Sequence, residues 1–148
     1  MTDDIPPLKR PEEMGPIRSQ ADLHLLWRAL MQQLGFGSRQ LWLALLDGDD
    51  RCTPVVQNIV EVPDVPDGAM LEGLAVVCRG LLDEAVPGGS VAFLVARPGP
   101  AGIDAADRAW ATGILAAMSR AEVSCRPVHL ANDHEIHVFT VDDQIASA

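Results

Sequence analysis

The sequence has 148 residues, 48% of them hydrophobic, and a formal net charge of −10 at pH 7. A chain of this length buries enough apolar surface to form one core, and its negative charge argues against nucleic acid or an anionic membrane as a partner. No apolar run approaches the roughly 20 residues that span a bilayer. The N-terminus is acidic and rich in proline, unlike a signal peptide, so we expect a cytoplasmic protein.

The first 18 residues hold four prolines among charged residues, and we interpret residues 1–18 as a flexible arm. Ser19 stands three residues before Asp22, a spacing typical of a capped helix start. An apolar stripe at helical spacing follows, and Gly35 ends it; the stripe consists of Leu23, Leu26, Trp27, Leu30, Met31 and Leu34. The pattern predicts an amphipathic first helix whose stripe packs in the core.

Two strands are predicted on either side of an acidic turn. Residues 40–46 are almost continuously apolar, residues 55–62 read as a second strand, and Asp-Gly-Asp-Asp at 47–50 separates them. The turn is too short for a parallel crossover, so we expect an antiparallel hairpin. It is not a calcium loop of the EF-hand type, because Asn58 stands at the twelfth position, where that loop needs a glutamate.

A second helix and a buried strand follow. Asp67 is the predicted N-cap of a helix over residues 68–85, which Pro87-Gly88-Gly89 ends. The predicted buried stripe of this helix consists of Met70, Leu71, Leu74, Val77, Cys78, Leu81, Leu82 and Ala85. Residues 91–96 show no polar alternation, which predicts a strand covered on both faces.

A loop of prolines and glycines, residues 97–103, leads from this strand to a third helix. Asp104 is its predicted N-cap, and the predicted buried side holds Trp110, Ile114, Ala117, Met118 and Ala121. In an open α/β sheet, ligands bind beyond the carboxyl end of such a strand. The candidate ligand-contacting residues are therefore Arg97, Asp104, Asp107 and Arg108.

A phosphate ligand is disfavoured at this loop. Pro98 and Pro100 lack amide hydrogens, and the aspartates at the start of the helix already supply the negative charge that its dipole favours. For Arg97 and Arg108 we favour a role as surface or salt-bridge residues over one in ligand binding.

A second hairpin is predicted between residues 123 and 140, around Asn132 and Asp133. A three-residue loop at 132–134 places four apolar side chains on one face, because it pairs Leu130 with Ile136 and Val128 with Val138.

The same register places His129 opposite His137, with His134 in the loop between them. Two histidines that meet across a hairpin are weak candidates for zinc ligands, and a zinc site needs at least a third ligand. Glu135 points to the opposite face in this register, so we expect no metal and no other cofactor.

The three cysteines form no Cys-x-x-Cys pair, which argues against a disulfide framework or a zinc knuckle. We expect Cys52, Cys78 and Cys125 to be small buried side chains in a reducing compartment.

These elements predict one α/β domain over residues 19–142, followed by a frayed tail at 143–148. It has a mixed five-stranded sheet with antiparallel hairpins at both ends, one central buried strand, and three helices. A doubly wound, flavodoxin-like sheet is the alternative, but it needs a parallel first pair that the four-residue turn cannot bridge.

The order of elements resembles the JAB/MPN fold, in particular its RadC-like branch. Residues 41–47 resemble the first core strand of that family with its acidic turn, residues 90–107 resemble its metal-binding strand, loop and helix start, and residues 123–139 resemble its closing strand pair. The family has His-x-His where this chain has Val95-Ala96-Arg97, and Asp107 is the only acid near the aspartate of the motif. The resemblance implies a pseudoenzyme-like member that lacks zinc-dependent chemistry.

Two functions follow. We favour a non-catalytic interaction or scaffold protein whose partner is another protein or a second copy, with the loop after Ala96 and exposed hairpin edges as its contact surface. The alternative is a small-ligand-binding protein or a metal-dependent hydrolase that uses His129 and His137 with a carboxylate.

Overall fold

The computed structural model describes Glu13 and residues 15–140. In chain order, the elements are α1 (Gln20–Met31), β1 (Gln40–Leu46), β2 (Cys52–Ile59), α2 (Gly68–Ala85), β3 (Ser90–Ala96), α3 (Ala105–Arg120), β4 (His129–Ala131) and β5 (Ile136–Val138). No helix among the described residues is both long and apolar enough to cross a membrane.

The strands form one sheet in the order β2-β1-β3-β4-β5, in which only β3 and β4 pair in parallel. The predicted α/β fold, with a mixed five-stranded sheet, a hairpin at each end and three helices, is confirmed. The predicted tail at residues 143–148 lies outside the described residues. Of the predicted arm, the structure describes Glu13 and residues 15–18, and Ile17 is buried there and donates its N–H to the carbonyl oxygen of Asp50 at 2.6 Å.

Two crossover helices cover one face of the sheet, and α1 covers the other. α2 links β2 to β3, which lie on either side of β1, so α2 runs over β1. α3 links β3 to β4 and lies beside α2. Both crossovers step along the sheet in the same direction, and the right-handed rule for parallel connections then places both helices on the same face.

The central strand β3 is buried along its whole length, as its unbroken apolar sequence predicts. Val91, Phe93 and Val95 face α2 and α3. Small side chains dominate the other face, where Ala92 and Ala96 lie beneath α1. Because alanines allow a close approach, the fully buried Trp27 of α1 fits against this face.

All three predicted N-caps are confirmed. The side chains of Ser19, Asp67 and Asp104 each accept a hydrogen bond from a backbone N–H in the first turn of α1, α2 and α3. The predicted end of the first helix near Leu34 is wrong, because α1 ends at Met31. Gln32 has a φ of 54°, and this left-handed conformation breaks the helix.

The predicted limits of the second strand are also wrong, because β2 spans Cys52–Ile59 rather than residues 55–62. The carboxylate of Asp47 accepts the N–H groups of Asp49 and Arg51 at 2.8 and 3.1 Å, which closes the turn early. A β-bulge opposite β1 absorbs the shift in register. Glu61, with a φ of 56°, turns the chain away after β2.

The predicted buried stripe of α2 is too wide. Val77 is 56% exposed and Ala85 is also exposed, whereas Ala75, which the sequence pattern did not single out, is buried. The buried positions of α2 are Leu71, Ala75, Cys78 and Leu82. Val77 therefore lies on an apolar side of the helix that the described domain leaves half open.

The predicted pairing of the terminal hairpin is wrong by one residue. Leu130 pairs with His137 instead of Ile136, and Val138 pairs with His129 instead of Val128. The loop has four residues, 132–135, because the side chain of Asn132 accepts the N–H groups of His134 and Glu135 at 2.9 and 3.0 Å. Such an Asx turn fixes the loop length locally and overrides the apolar pairing pattern.

We predict opposite effects from alanine at two glycines. A Cβ at Gly89 would collide with the backbone carbonyl oxygen of Leu46, so Gly89→Ala lowers the free energy of unfolding by about 1–3 kcal/mol. Gly73, in α2, has open space around it, and Gly73→Ala raises stability by about 0.5–1 kcal/mol. Urea denaturation followed by circular dichroism measures both. Equal stability of the two variants would contradict this packing.

Candidate functional site

The guanidinium group of Arg97 lies just beyond the carboxyl end of β3 and is only 5% exposed. Its Nε donates to both carboxylate oxygens of Asp107, at 2.9 and 3.1 Å. Its two Nη groups donate to the carbonyl oxygens of Pro98, Pro100 and Gly102 at 3.1–3.2 Å. Every nitrogen of this guanidinium therefore has a partner within the chain, and Arg97 holds the 97–103 loop in place.

The carboxylate of Asp107 is 2% exposed and lies at the start of α3. It accepts the N–H of Asp104 at 3.0 Å, while the Asp104 side chain accepts the N–H of Asp107 at 2.7 Å, which completes a reciprocal capping box. The same carboxylate accepts a hydrogen bond from Nη1 of Arg39 at 3.0 Å. Two arginines thus share one buried carboxylate.

Arg39, immediately before β1, was missed in the sequence pattern. Besides Asp107 it contacts Asp104 at 3.8 Å and the exposed Asp64 at 3.5 Å. The signal that could have identified Arg39 lies in the pairing of two strands and not in the neighbouring sequence. Gln40 pairs with Ala96 in the antiparallel β1–β3 ladder, so the next residue on each strand, Arg39 and Arg97, must come side by side.

We call Arg39, Arg97, Asp104 and Asp107 the arginine–aspartate cluster. Its formal charges balance, and each arginine is ion-paired with both aspartates, while the buried Nε of Arg39 makes no hydrogen bond among the described residues. Arginine stays protonated in proteins and is not available as a base. Chemically, the cluster fastens β1, β3 and α3 together at one end of the sheet.

Arg108 does not join this cluster. It lies on a face of α3 that carries a shallow open depression lined by Ala105, Arg108, Ala109 and Thr112. Its Nε is buried and donates to no acceptor in the part of the chain that the structure describes. The structure therefore brings together three of the four predicted residues, Arg97, Asp104 and Asp107.

The 97–103 loop is held from its other side by acidic residues of the terminal hairpin. Gly99 and Gly102 have φ values of 114° and 101°, and their N–H groups donate to Asp133 and Glu135, each at 2.8 Å. These bonds lower the pKa of both carboxyls, chiefly through the Gly99 N–H for Asp133 and the Gly102 N–H for Glu135. The chain's own carboxylates thus occupy loop amides that an anionic ligand would use.

His129 is fully buried beneath α1, with its ring centroid 6.1 Å from that of His24. Neither ring nitrogen makes a hydrogen bond among the described residues. Burial lowers the pKa of His129 to about 4; the nearby carbonyl of Pro127 opposes this shift, and His24 and His137 add to it. The pKa of His24 is lowered as well, first by burial and then by Arg28.

The prediction that His129 faces His137 is wrong. His137 pairs with Leu130, the neighbour of His129, so the alternation of side chains places the two histidines on opposite faces of the sheet. Nδ1 of His137 lies 3.5 Å from Oε2 of Glu135, and His134 is exposed in the loop. Across Glu13 and residues 15–140, no three His, Cys, Asp or Glu side chains are arranged to hold a metal ion.

The three cysteines form no disulfide among the described residues. Cys52 and Cys78 are buried as predicted, and Cys125 is partly buried. Burial raises the pKa of Cys78 to about 11 and that of Cys125 to about 12. Thiols with such pKa values remain protonated at neutral pH and are poor nucleophiles.

Comparison with protein-family models, with curated proteins and with solved structures finds no match for this chain.

We predict that breaking the arginine–aspartate cluster destabilises the fold. Asp107→Ala leaves two buried guanidinium groups without their shared carboxylate, and the expected loss is about 3–5 kcal/mol. Arg108→Gln, on the same helix but outside the cluster, should cost below about 1 kcal/mol. Chemical denaturation of both variants measures the difference, and equal losses would show that the cluster is not a structural fastening.

We also predict that acid weakens the fold through His129. Its folded pKa lies below the unfolded value of 6.5, so the unfolded chain takes up a proton first and stability falls as pH drops from 6.5 towards 4. Between pH 7 and pH 5 the loss is about 2 kcal/mol. His129→Leu removes most of this loss, whereas His134→Gln retains it. A pH-independent stability of the wild type over this interval would contradict the prediction.

Proposed function

We propose that this protein is a non-catalytic interaction module that binds another protein chain through the free edge of β2 and the adjoining side of α2. The observation that carries the proposal is the outer edge of β2 at residues 55–59, which pairs with no strand among the described residues and carries no charge. Among the described residues, β2 has only β1 as a neighbour in the sheet, and Cys52–Ile59 contains no charged side chain. An exposed edge offers backbone N–H and C=O groups to an added strand.

The adjoining side of α2 is apolar. Arg79 donates to the carbonyl oxygen of Ala121, at the end of α3, at 2.6 Å, which marks the side of α2 that faces α3. A helix turns by about 100° per residue, so four apolar side chains lie on roughly the opposite side, over the β2 edge. We call them the α2 stripe: Met70, Leu74, Val77 and Leu81.

The α2 stripe is only partly covered. Val77 is 56% exposed, and the other three members are half-buried. The stripe has the spacing of four, three and four residues that is typical of a helix seam packed against another apolar surface. Beside it, Ile59 at the end of β2 is 42% exposed. Residues 55–59 and the α2 stripe together form what we call the edge surface.

The loop end of the sheet supports a non-catalytic role. The arginine–aspartate cluster is internally paired, and Asp133 and Glu135 occupy the loop amides. Of the contact regions expected from the sequence, this leaves the hairpin edges, and β2 is the longer of the two end strands.

The resemblance to the RadC-like branch of the JAB/MPN family agrees with this proposal. Where that family has its metal-binding His-x-His, this chain has Val95-Ala96-Arg97, and Arg97 forms an ion pair with Asp107, the only acid near the position of the motif's aspartate. We propose that a salt bridge stands in place of a metal centre, which makes the protein pseudoenzyme-like.

Site-specific photo-cross-linking tests the proposed surface. Benzoylphenylalanine replaces Gln57 on the β2 edge, Val77 in the α2 stripe, or Val76, which is 70% exposed but lies outside the stripe. In cells that express the full chain, we expect protein cross-links from positions 57 and 77 and markedly fewer from position 76. Val76 is a matched control because it has the same residue type, the same helix and a similar exposure.

Two results would contradict the proposal. One is a cross-linking yield at position 76 equal to that at positions 57 and 77. The other is stoichiometric zinc in the purified protein that is lost when His129 and His137 are replaced by alanine, which would favour the metal-dependent alternative.

A further inference from the structure

We infer that the partner of the edge surface is a second copy of this chain, related by a two-fold axis that pairs β2 with β2 in antiparallel orientation. The inference rests on the proposed function and names the partner of the same surface. Antiparallel pairing of two identical strands is symmetric, so both copies use the same residues.

The distribution of charge favours a second copy. The chain carries a net charge of −10, so two copies repel each other over most of their surfaces. A two-fold axis also brings residues near the axis close to their own symmetry mates, where any charge meets a like charge. The edge surface contains no charged side chain in residues 55–59 or in the α2 stripe. A strongly charged partner would find no complementary group there.

The shape of β2 restricts the register. Pro54 has no N–H to donate and lies within the bulge, so regular pairing is confined to residues 55–59. An axis at Gln57 sets Val55 of each copy opposite Ile59 of the other. Val55 packs against the core beneath α2, and Ile59 pairs with Leu41 of that core, so both lie on the α2 side of the sheet. The apolar pairs extend this core across the junction.

The α2 stripe completes the interface. Five paired residues form a marginal contact by themselves, because two isolated strands have little stability in water. The two-fold axis that joins the strands also brings both α2 stripes over the junction from the same side of the sheet. Leu74, Val77 and Leu81 of each copy then cover the Val55 and Ile59 pairs. Strand pairing fixes the register, and the stripes supply buried apolar area.

Introducing a charge of either sign at Gln57 tests the two-fold arrangement. We expect the full-length wild type to sediment as a dimer at micromolar concentrations. Gln57→Lys and Gln57→Glu each place two like charges at the axis, and each raises the dimer Kd by about tenfold or more. An equimolar mixture of the two variants restores a dimer with one copy of each, which native mass spectrometry identifies by mass when one of the two variants is uniformly labelled with ¹⁵N.

Substitutions in α2 provide the second test. Val77→Glu introduces a charge into the α2 stripe and weakens the dimer, whereas Val76→Glu leaves the dimer Kd unchanged. Both valines are largely exposed, so both variants retain the circular dichroism spectrum of the wild type.

Several outcomes would overturn the second copy as partner. One such outcome is a wild type that stays monomeric in concentrated solution. Another is a dimer that is weakened neither by Gln57→Lys nor by Val77→Glu. Cross-links from position 57 only to a different protein, with a monomeric wild type, would leave the proposed function standing without this partner. Cross-links from position 57 to residues 1–12 of the same chain would make the edge an internal contact and overturn both.

Discussion

The carboxylate of Asp107 is a buried group on which three elements of this structure depend. Held between Arg97 and Arg39, it links the end of β3, the start of β1 and the first turn of α3. Arg97 in turn carries the backbone of the 97–103 loop. Buried ion pairs stabilise little relative to apolar packing, but removing one partner is costly. The cluster therefore fixes the geometry at the end of the sheet where an α/β protein usually binds a ligand.

Local signals in the sequence were sufficient for much of the fold. The three N-caps depend on side chains within one turn of the helix they start, and the burial of β3 depends on its own unbroken apolar run. The predicted pairing of the terminal hairpin was wrong because Asn132 fixes a four-residue loop. The apolar pattern of the strands contains no information on the length of that loop. Arg39 was missed because only the pairing of β1 with β3 brings it beside Arg97.

The candidate site illustrates the same division. Residue types and spacing selected Arg97, Asp104 and Asp107, which do meet, but their use depends on groups distant in sequence. Asp133 and Glu135 reach the loop from the hairpin after β4. The loop lies where α/β proteins usually bind a ligand, but side chains of the same chain occupy its backbone amides. The interpretation of Arg97 as a salt-bridge residue is confirmed, and the salt bridge is buried.

Hydrophobic periodicity predicts that a side chain is buried, but it does not identify the element or the chain that buries it. Val77 fits the helical stripe of α2 by sequence, yet the domain leaves it more than half exposed. Edge strands of monomeric proteins are commonly protected by charge, proline or a bulge. In β2, Pro54 and the bulge protect only the first half, and residues 55–59 have none of these devices. An unprotected strand edge beside an uncovered apolar helix side is expected where a second chain completes the core.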